Sequence, residues 1–394
     1  MLITPKFQSV ADLFFAQGKA LEDANAGGFV GGSALAIYEH GELALDVWQG
    51  QARPGHPWQA DTASVIFSCT KGLASIVANQ LIERGLLDPE ERVAYYWPEF
   101  AAAGKSEMPV KWLLQHRAGL SAVRRDLTLD VFLDGHTVVD ELAAQEPLWA
   151  PGTGYQYHAG TFGHLIGEVV RRITGQTIGQ YLQEQIAGPL NVDAWIGVPT
   201  ERLGQVAPLV TDGQRASGNP LPGTPNYWIE KAMTFGNAFT AEVAGEVDGV
   251  GTGFNDPRVL QSEFAGAGGV ASAKALAKIY SACVTQTDGV RLLNDETLRE
   301  ASSLQVTGPT VWGEPGPWPA RGLGFMLHTP GFREFSSARS FGHDGLGGQI
   351  GFGDLENQIG FAYVSSFLRS GETEQDGQQA LVRELQKGLA NLRD

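Results

Sequence analysis

The chain has 394 residues, long for one compact unit, so two subdomains sharing a large core are expected. Hydrophobic residues make up 43% and charged residues 18%, which excludes a disordered chain. With 44 acidic against 28 basic side chains the formal net charge is -16, which argues against nucleic acid or an anionic membrane as partner.

Cys69 and Cys283 are too few for a disulfide framework, and no histidine cluster accompanies them to make a zinc site. The opening residues Met1-Leu2-Ile3-Thr4-Pro5-Lys6 lack a basic segment followed by an apolar run. No stretch of about 20 residues is apolar enough to span a bilayer. A soluble cytoplasmic protein is the expectation, and the sequence leaves a homo-oligomer open.

Residues 7–25 have the spacing of an amphipathic helix, with Val10, Leu13, Phe14 and Leu21 on one side and Gly27-Gly28 ending it. Residues 32–38 and 42–48 read as two strands of a hairpin, joined by Glu39-His40-Gly41, whose glycine can take a positive φ. Residues 50–62 are loop-like. Next comes Ser64-Val65-Ile66-Phe67-Ser68-Cys69-Thr70-Lys71-Gly72-Leu73, after which Leu73, Ile76, Val77, Leu81 and Ile82 recur at helical spacing until Gly85.

That helix puts Ser68 near its N-terminus and Lys71 one turn on, on the same face. A serine hydroxyl is a weak nucleophile unless a base takes its proton, and a neutral lysine can be that base. Burial and the positive helix end both disfavour the ammonium form. Free N–H groups at the same end can hold an oxyanion. Ser-x-x-Lys by itself also fits an N-cap serine beside a solvated lysine, so agreement has to come from the rest of the chain.

Turns follow at Leu87-Asp88-Pro89 and Tyr95-Tyr96-Trp97-Pro98, then a short helix over 110–116. Residues 138–145, 161–174 and 177–186 are helical in spacing, closed by Gly188-Pro189-Leu190. Residues 200–262 are the least regular, with helical spacing only near 228–235; long irregular segments often serve as functional loops or lids. The glycine turn Ala265-Gly266-Ala267-Gly268-Gly269 lacks the spacing of a dinucleotide-binding loop and leads into a helix over 274–285.

Strand patterns return at 322–328, 340–343, 348–354 and 358–365, with a turn at Leu355-Glu356-Asn357, and a last helix covers 375–392. An α+β fold is expected. In it, one antiparallel sheet from both chain ends is covered by the first and last helices, with a mainly helical part inserted. The implied division is 1–65 with 322–394 as the sheet subdomain and 66–321 as the helical one, a cleft lying between them.

Three motifs coincide. They are Ser68-Cys69-Thr70-Lys71, then Tyr155-Gln156-Tyr157-His158-Ala159 with its flanks Pro151-Gly152 and Thr161-Phe162-Gly163, and finally Gly342-His343-Asp344-Gly345-Leu346-Gly347. In order and spacing they resemble the serine β-lactamase-like superfamily, which includes class C β-lactamases, penicillin-binding proteins and the family VIII carboxylesterases. Leu113-Leu114-Gln115-His116-Arg117-Ala118-Gly119-Leu120 and Gly268-Gly269-Val270-Ala271-Ser272 agree, and the likeness covers about residues 25–370.

The resemblance implies Ser68 as the acylated nucleophile, Lys71 as its base and Tyr157 as the phenol that shares their protons and serves the leaving group. It places His343, Asp344 and Gly345 on a substrate-binding edge strand. The backbone of Leu346 would join that of Ser68 as the oxyanion hole. Tyr155 is the competitor of Tyr157, and an ammonium beside the phenol would make its proton easier to lose. Cys69 and Thr70 fill variable positions and need no role.

The chain departs from β-lactamases in two places. Ala159 stands where a side-chain amide usually grips the substrate, and His343-Asp344-Gly345 replaces Lys-Thr-Gly. A neutral histidine holds a carboxylate weakly and Asp344 would repel one. Both changes spare acyl transfer, so the expected activity is that of a carboxylesterase on small ester substrates, with no cofactor and no metal. An amide hydrolase on the same scaffold and a catalytically silent binding protein are the alternatives. Residues 200–262 and 305–320 are expected to shape the pocket, with Trp228, Trp312 and Trp318 as candidate wall residues.

Overall fold

Side-chain alternation in the first hairpin decides how the layers stack. Leu35 and Ile37 join one hydrophobic cluster, while Ala34, Ala36 and Tyr38 join another on the opposite face. The computed structural model describes residues 1–25, 28–211, 220–239, 244–247, 250–369 and 376–390. In chain order its principal elements are β1 (Leu2–Ile3), α1 (Gln8–Ala24), β2 (Gly32–Glu39), β3 (Glu42–Arg53), α2 (Cys69–Glu83), α3 (Thr161–Thr174), α4 (Ala273–Val284), β4 (Met326–Leu327), β5 (Ser340–Asp344), β6 (Ile350–Asp354), β7 (Ile359–Ser365) and α5 (Asp376–Ala390).

The strands form one antiparallel sheet in the order β1-β3-β2-β7-β6-β5-β4, with His56–Pro57 added against β3. Its two halves come from opposite chain ends and meet where β2 pairs with β7, from Glu39 against Ile359 to Ser33 against Ser365. The β2–β3 turn uses positive φ at both His40 (50°) and Gly41 (86°), the pair of left-handed residues a tight two-residue hairpin requires.

The sheet faces differ in residue size. Leu35, Ile37, Phe352 and Phe361 pack against α1 and α5 through Phe7, Val10, Phe14, Leu381 and Leu385. The opposite face is built from Ala34, Ala36, Ala362 and glycines, and there α4 lies almost on the strands. A Cβ at Gly360 would meet the Ala277 carbonyl oxygen at 2.1 Å, and one at Gly351 would meet Leu276 at 2.7 Å. The first and last helices therefore cover one face only. The other is covered by α4, from within the stretch expected to be the helical insert.

The intervening residues are mainly helical but include a small antiparallel sheet of Ser64–Val65, Gly269–Ala271 and Ala194–Ile196. The strand expected over 322–328 shrinks to β4 because Gly324 turns at φ 85° and sits against Ser75 of α2. The irregular stretch after residue 200 contains helices Pro225–Thr234 and Pro257–Gln261. Residues 212–219, 240–243 and 248–249 lie outside the described residues, as do Gly27 and the expected end of the last helix beyond Ala390.

Candidate active site

The Ser68 turn is built by strand pairing followed by one residue in an unusual conformation. Val65 pairs with Val270, and Ile66 N–H donates to Gly269 O at 2.8 Å. Phe67 then takes φ 44°, a left-handed conformation that costs a bulky residue roughly 1–2 kcal/mol and bends the chain sharply into α2. Thr70 Oγ1 donates to Phe67 O at 2.5 Å and accepts from Gly269 N at 2.8 Å, while Cys69 Sγ donates to His343 O at 3.2 Å. The two middle residues of the motif, expected to need no role, therefore fasten the turn to its neighbours.

Ser68 occupies the N-cap position of α2, yet its side chain makes no capping bond. Its Oγ lies 3.1 Å from Lys71 Nζ and accepts from the Tyr157 hydroxyl at 2.8 Å. Lys71 is fully buried, and its Nζ also faces Ala159 O at 2.6 Å and Gly266 O at 2.7 Å. A neutral amine has two hydrogens and one lone pair. The two carbonyls take the hydrogens, leaving the lone pair for the Ser68 hydroxyl. Burial, and secondarily the Arg321 charge, hold Lys71 well below the usual lysine range.

The acceptor on Gly266 is positioned by backbone packing. A Cβ at Gly163, in α3, would fall 2.0 Å from Gly266 N, and one at Gly266 would fall 2.3 Å from Gly160 O. Sequence reasoning saw the glycine turn but not its use, which is to bring a carbonyl onto a lysine.

Tyr157 is held from behind by His116, whose carbonyl accepts from Gln156 N at 3.1 Å and whose Nδ1 accepts from His158 N at 3.1 Å. The His116 ring packs 5.1 Å from that of Tyr157. Burial pushes the Tyr157 phenol upward, with the Arg321 charge and the Ser68 hydrogen bond opposing it less strongly. The expectation that its proton is easier to lose is thus reversed: the neighbouring lysine is held neutral, and desolvation outweighs what attraction remains. Tyr155, its competitor, turns away and donates to Gly308 O at 2.7 Å.

The end of β5 forms the facing wall. A Cβ at Gly345 would lie 2.5 Å from Ile66 O, so only glycine lets this strand approach the Ser68 turn. The N–H groups of Ser68 and Leu346 donate to no described residue, and both residues line the cleft. His343 donates its Nδ1–H to Asp344 O at 2.6 Å, stacks on Tyr157 and is kept neutral chiefly by burial. Asp344 is not the lone repelling charge expected, because Arg333 Nε pairs with it at 2.7 Å.

The cleft holds about 320 Å³, enough for a small ester, with Tyr155, Met233, Pro315, Trp318, Arg321 and Phe332 among its walls. Both expected wall segments contribute, but of the three candidate tryptophans only Trp318 lines it. Trp312 packs on Trp149 and Trp228 on Tyr227. Arg321 and Arg333 lie outside every motif and were missed, since single arginines in an irregular segment carry no spacing signal. Among the described residues no group of three histidine, cysteine, aspartate or glutamate side chains could hold a metal ion, and no helix is long and apolar enough to cross a membrane.

Comparison with known proteins gives the family and the fold. The chain is 36% identical over 357 residues to the Esterase/beta-lactamase LipL of Mycobacterium tuberculosis, covering 86% of this chain and 78% of that protein. The structure of EstA from Arthrobacter nitroguajacolicus superimposes with a TM-score of 0.86 at 31% identity, covering 100% of this chain and 99% of EstA. A family VIII carboxylesterase gives a TM-score of 0.83 at 30% identity, with 98% and 99% covered. Residues 19–384 match the Beta-lactamase family, and with the sheet and the inserted helices in its arrangement, the chain belongs to that family of serine hydrolases.

Proposed function

We propose that the chain is a serine carboxylesterase that cleaves small esters through an acyl-Ser68 intermediate. The observation that carries this reading is the three-fold coordination of Lys71 Nζ by Ala159 O, Gly266 O and Ser68 Oγ, which suits a neutral amine poised to take the serine proton. Relatives bearing the words esterase and carboxylesterase at 30–36% identity support the choice of ester.

In this mechanism Lys71 accepts the Ser68 proton as Oγ attacks the ester carbonyl. The N–H groups of Ser68 and Leu346 receive the negative oxygen. As the tetrahedral species collapses, the Tyr157 phenol gives its proton to the leaving alcohol and is reprotonated by the Lys71 ammonium. Water then attacks the acyl carbonyl, passing its proton back through the same groups, and Ser68 is released. No cofactor enters these steps.

Ala159 offers only its backbone oxygen, already engaged by Lys71, and a neutral His343 replaces a cationic lysine; both favour esters over acylamino β-lactams. The sheet with its flanking helices and the helical insert are proposed to act as two subdomains enclosing the cleft. The unpaired, buried Cys69 and Cys283 suit a reducing compartment, and the cytoplasm is the proposed location. The test is side-by-side turnover of a short-chain aryl ester, a chromogenic cephalosporin and a D-alanyl amide. Aryl ester turnover far above the other two is expected; preference for either amide would overturn the reading.

A further inference from the structure

Arg321 is 5% exposed and lines the cleft beside Ser68. Its guanidinium carbon lies 4.9 Å from the centre of the Tyr157 ring. Its Nε is buried with no hydrogen-bond partner, and no carboxylate among the described residues lies within ion-pair distance of the group. An ionised group taken out of water without a partner costs several kcal/mol, so folded chains seldom keep one. This one is also held rigidly. Its backbone is bridged to Val306 on one side and Met326 on the other, with Arg321 N–H donating to Val306 O at 2.9 Å.

The surrounding charges leave it unmatched. Arg333 and Asp344 neutralise each other, and Glu314, a further carboxylate lining the cleft, accepts from Gln156 Nε2 at 2.6 Å and makes no ion pair with Arg321. Lys71, the other basic side chain near the Tyr157 ring, is engaged by two carbonyls and Ser68. Aromatic, proline and methionine side chains make up much of the wall, with Thr310 and Glu314 among its polar members. In such a low-dielectric setting a guanidinium fork attracts a carboxylate far more strongly than in water, and with two-pronged geometry.

We infer that Arg321 is the anchor for a carboxylate carried by the substrate, so that the preferred esters hold a second, ionised acid group on an apolar body. This deepens the carboxylesterase reading and rests on it. The position is separate from the third motif, where His343 is neutral and donates to its own neighbour's carbonyl. Selection for an anion, lost from the motif, is thereby restored from a different segment of the chain.

Two measurements test the inference, one without turnover. In the Ser68→Ala protein, glutarate and 4-hydroxybenzoate serve as anionic probes in calorimetry and thermal melts. At least one should bind and raise the Tm, and that shift should vanish when Arg321→Met is added. Without ligand, Arg321→Met should itself melt higher, since it removes an unpaired buried charge. In the active enzyme, kcat/KM is compared for two matched pairs. One is the mono-4-nitrophenyl ester of glutaric acid against 4-nitrophenyl pentanoate. The other is 4-acetoxybenzoate against its methyl ester. At least one acid-bearing ester should exceed its neutral partner by about tenfold or more, and Arg321→Met should abolish that ratio. Equal ratios in wild type and Arg321→Met, or no Arg321-dependent binding of either probe, would overturn the anion site. Binding of a probe with no turnover of any ester would instead keep the anion site and sink the esterase reading.

Discussion

The floor and the wall of the cleft treat their polar groups in opposite ways. On the floor, Ser68, Lys71 and Tyr157 form a closed set: the phenol donates to the hydroxyl, and the amine is matched by two carbonyls and that same hydroxyl. On the wall, Arg321 Nε and His343 Nε2 are buried without partners. A floor whose groups are already satisfied needs little reorganisation before reaction. A wall with unmet hydrogen bonds waits for something to complete it, and penalises a substrate that cannot. Chemistry is preorganised within the protein, while recognition is left for the substrate to finish.

The floor can be broken most severely at the proposed nucleophile. Ser68→Ala should lower kcat/KM for an aryl ester by at least about 10⁴-fold while the circular dichroism spectrum stays native. Lys71→Met should cost about 10³-fold through loss of the general base. It should also raise the Tm at neutral pH. A lysine held neutral in the fold but protonated when unfolded costs stability below its unfolded pKa, a cost that shrinks as pH rises from the lowered folded pKa and is gone above the unfolded one. For the same reason wild-type kcat/KM should rise with pH as Lys71 loses its proton, along a limb lying well below the ordinary lysine range.

Tyr157→Phe should lower kcat by about a hundredfold, measured with a substrate whose alcohol is a poor leaving group. Tyr155→Phe sharpens the contrast. Its hydroxyl is tied to Gly308 O, so the change should cost about 1 kcal/mol of stability in urea melts and less than about tenfold in kcat. A larger kcat loss for Tyr155 than for Tyr157 would exchange their proposed roles.

Much of this was legible because each part had a local cause. The strand halves of the sheet alternate small and large apolar residues, the hairpin carries His40-Gly41, and the Ser68 helix has a clear apolar repeat ended by Gly85. The three motifs supplied the order of the chain through the cleft. What stayed hidden depends on contacts across long sequence distances. Nothing near Gly266 announces that its carbonyl serves a lysine 195 residues earlier. Arg333 neutralises Asp344 and α4 packs on an Ala/Gly sheet face only through the tertiary fold. The phenol of Tyr157 was misjudged because burial, which local sequence does not report, outweighs a neighbouring amine that is itself uncharged.

The most direct test of the central claim is the site and base dependence of covalent labelling. Wild-type protein would be treated with a fluorophosphonate, digested and mapped by mass spectrometry, with Lys71→Met labelled alongside. The account predicts one adduct, on Ser68, forming at least about a hundredfold more slowly in Lys71→Met. An adduct on another residue, or labelling of Ser68 at an equal rate without the lysine, would contradict it.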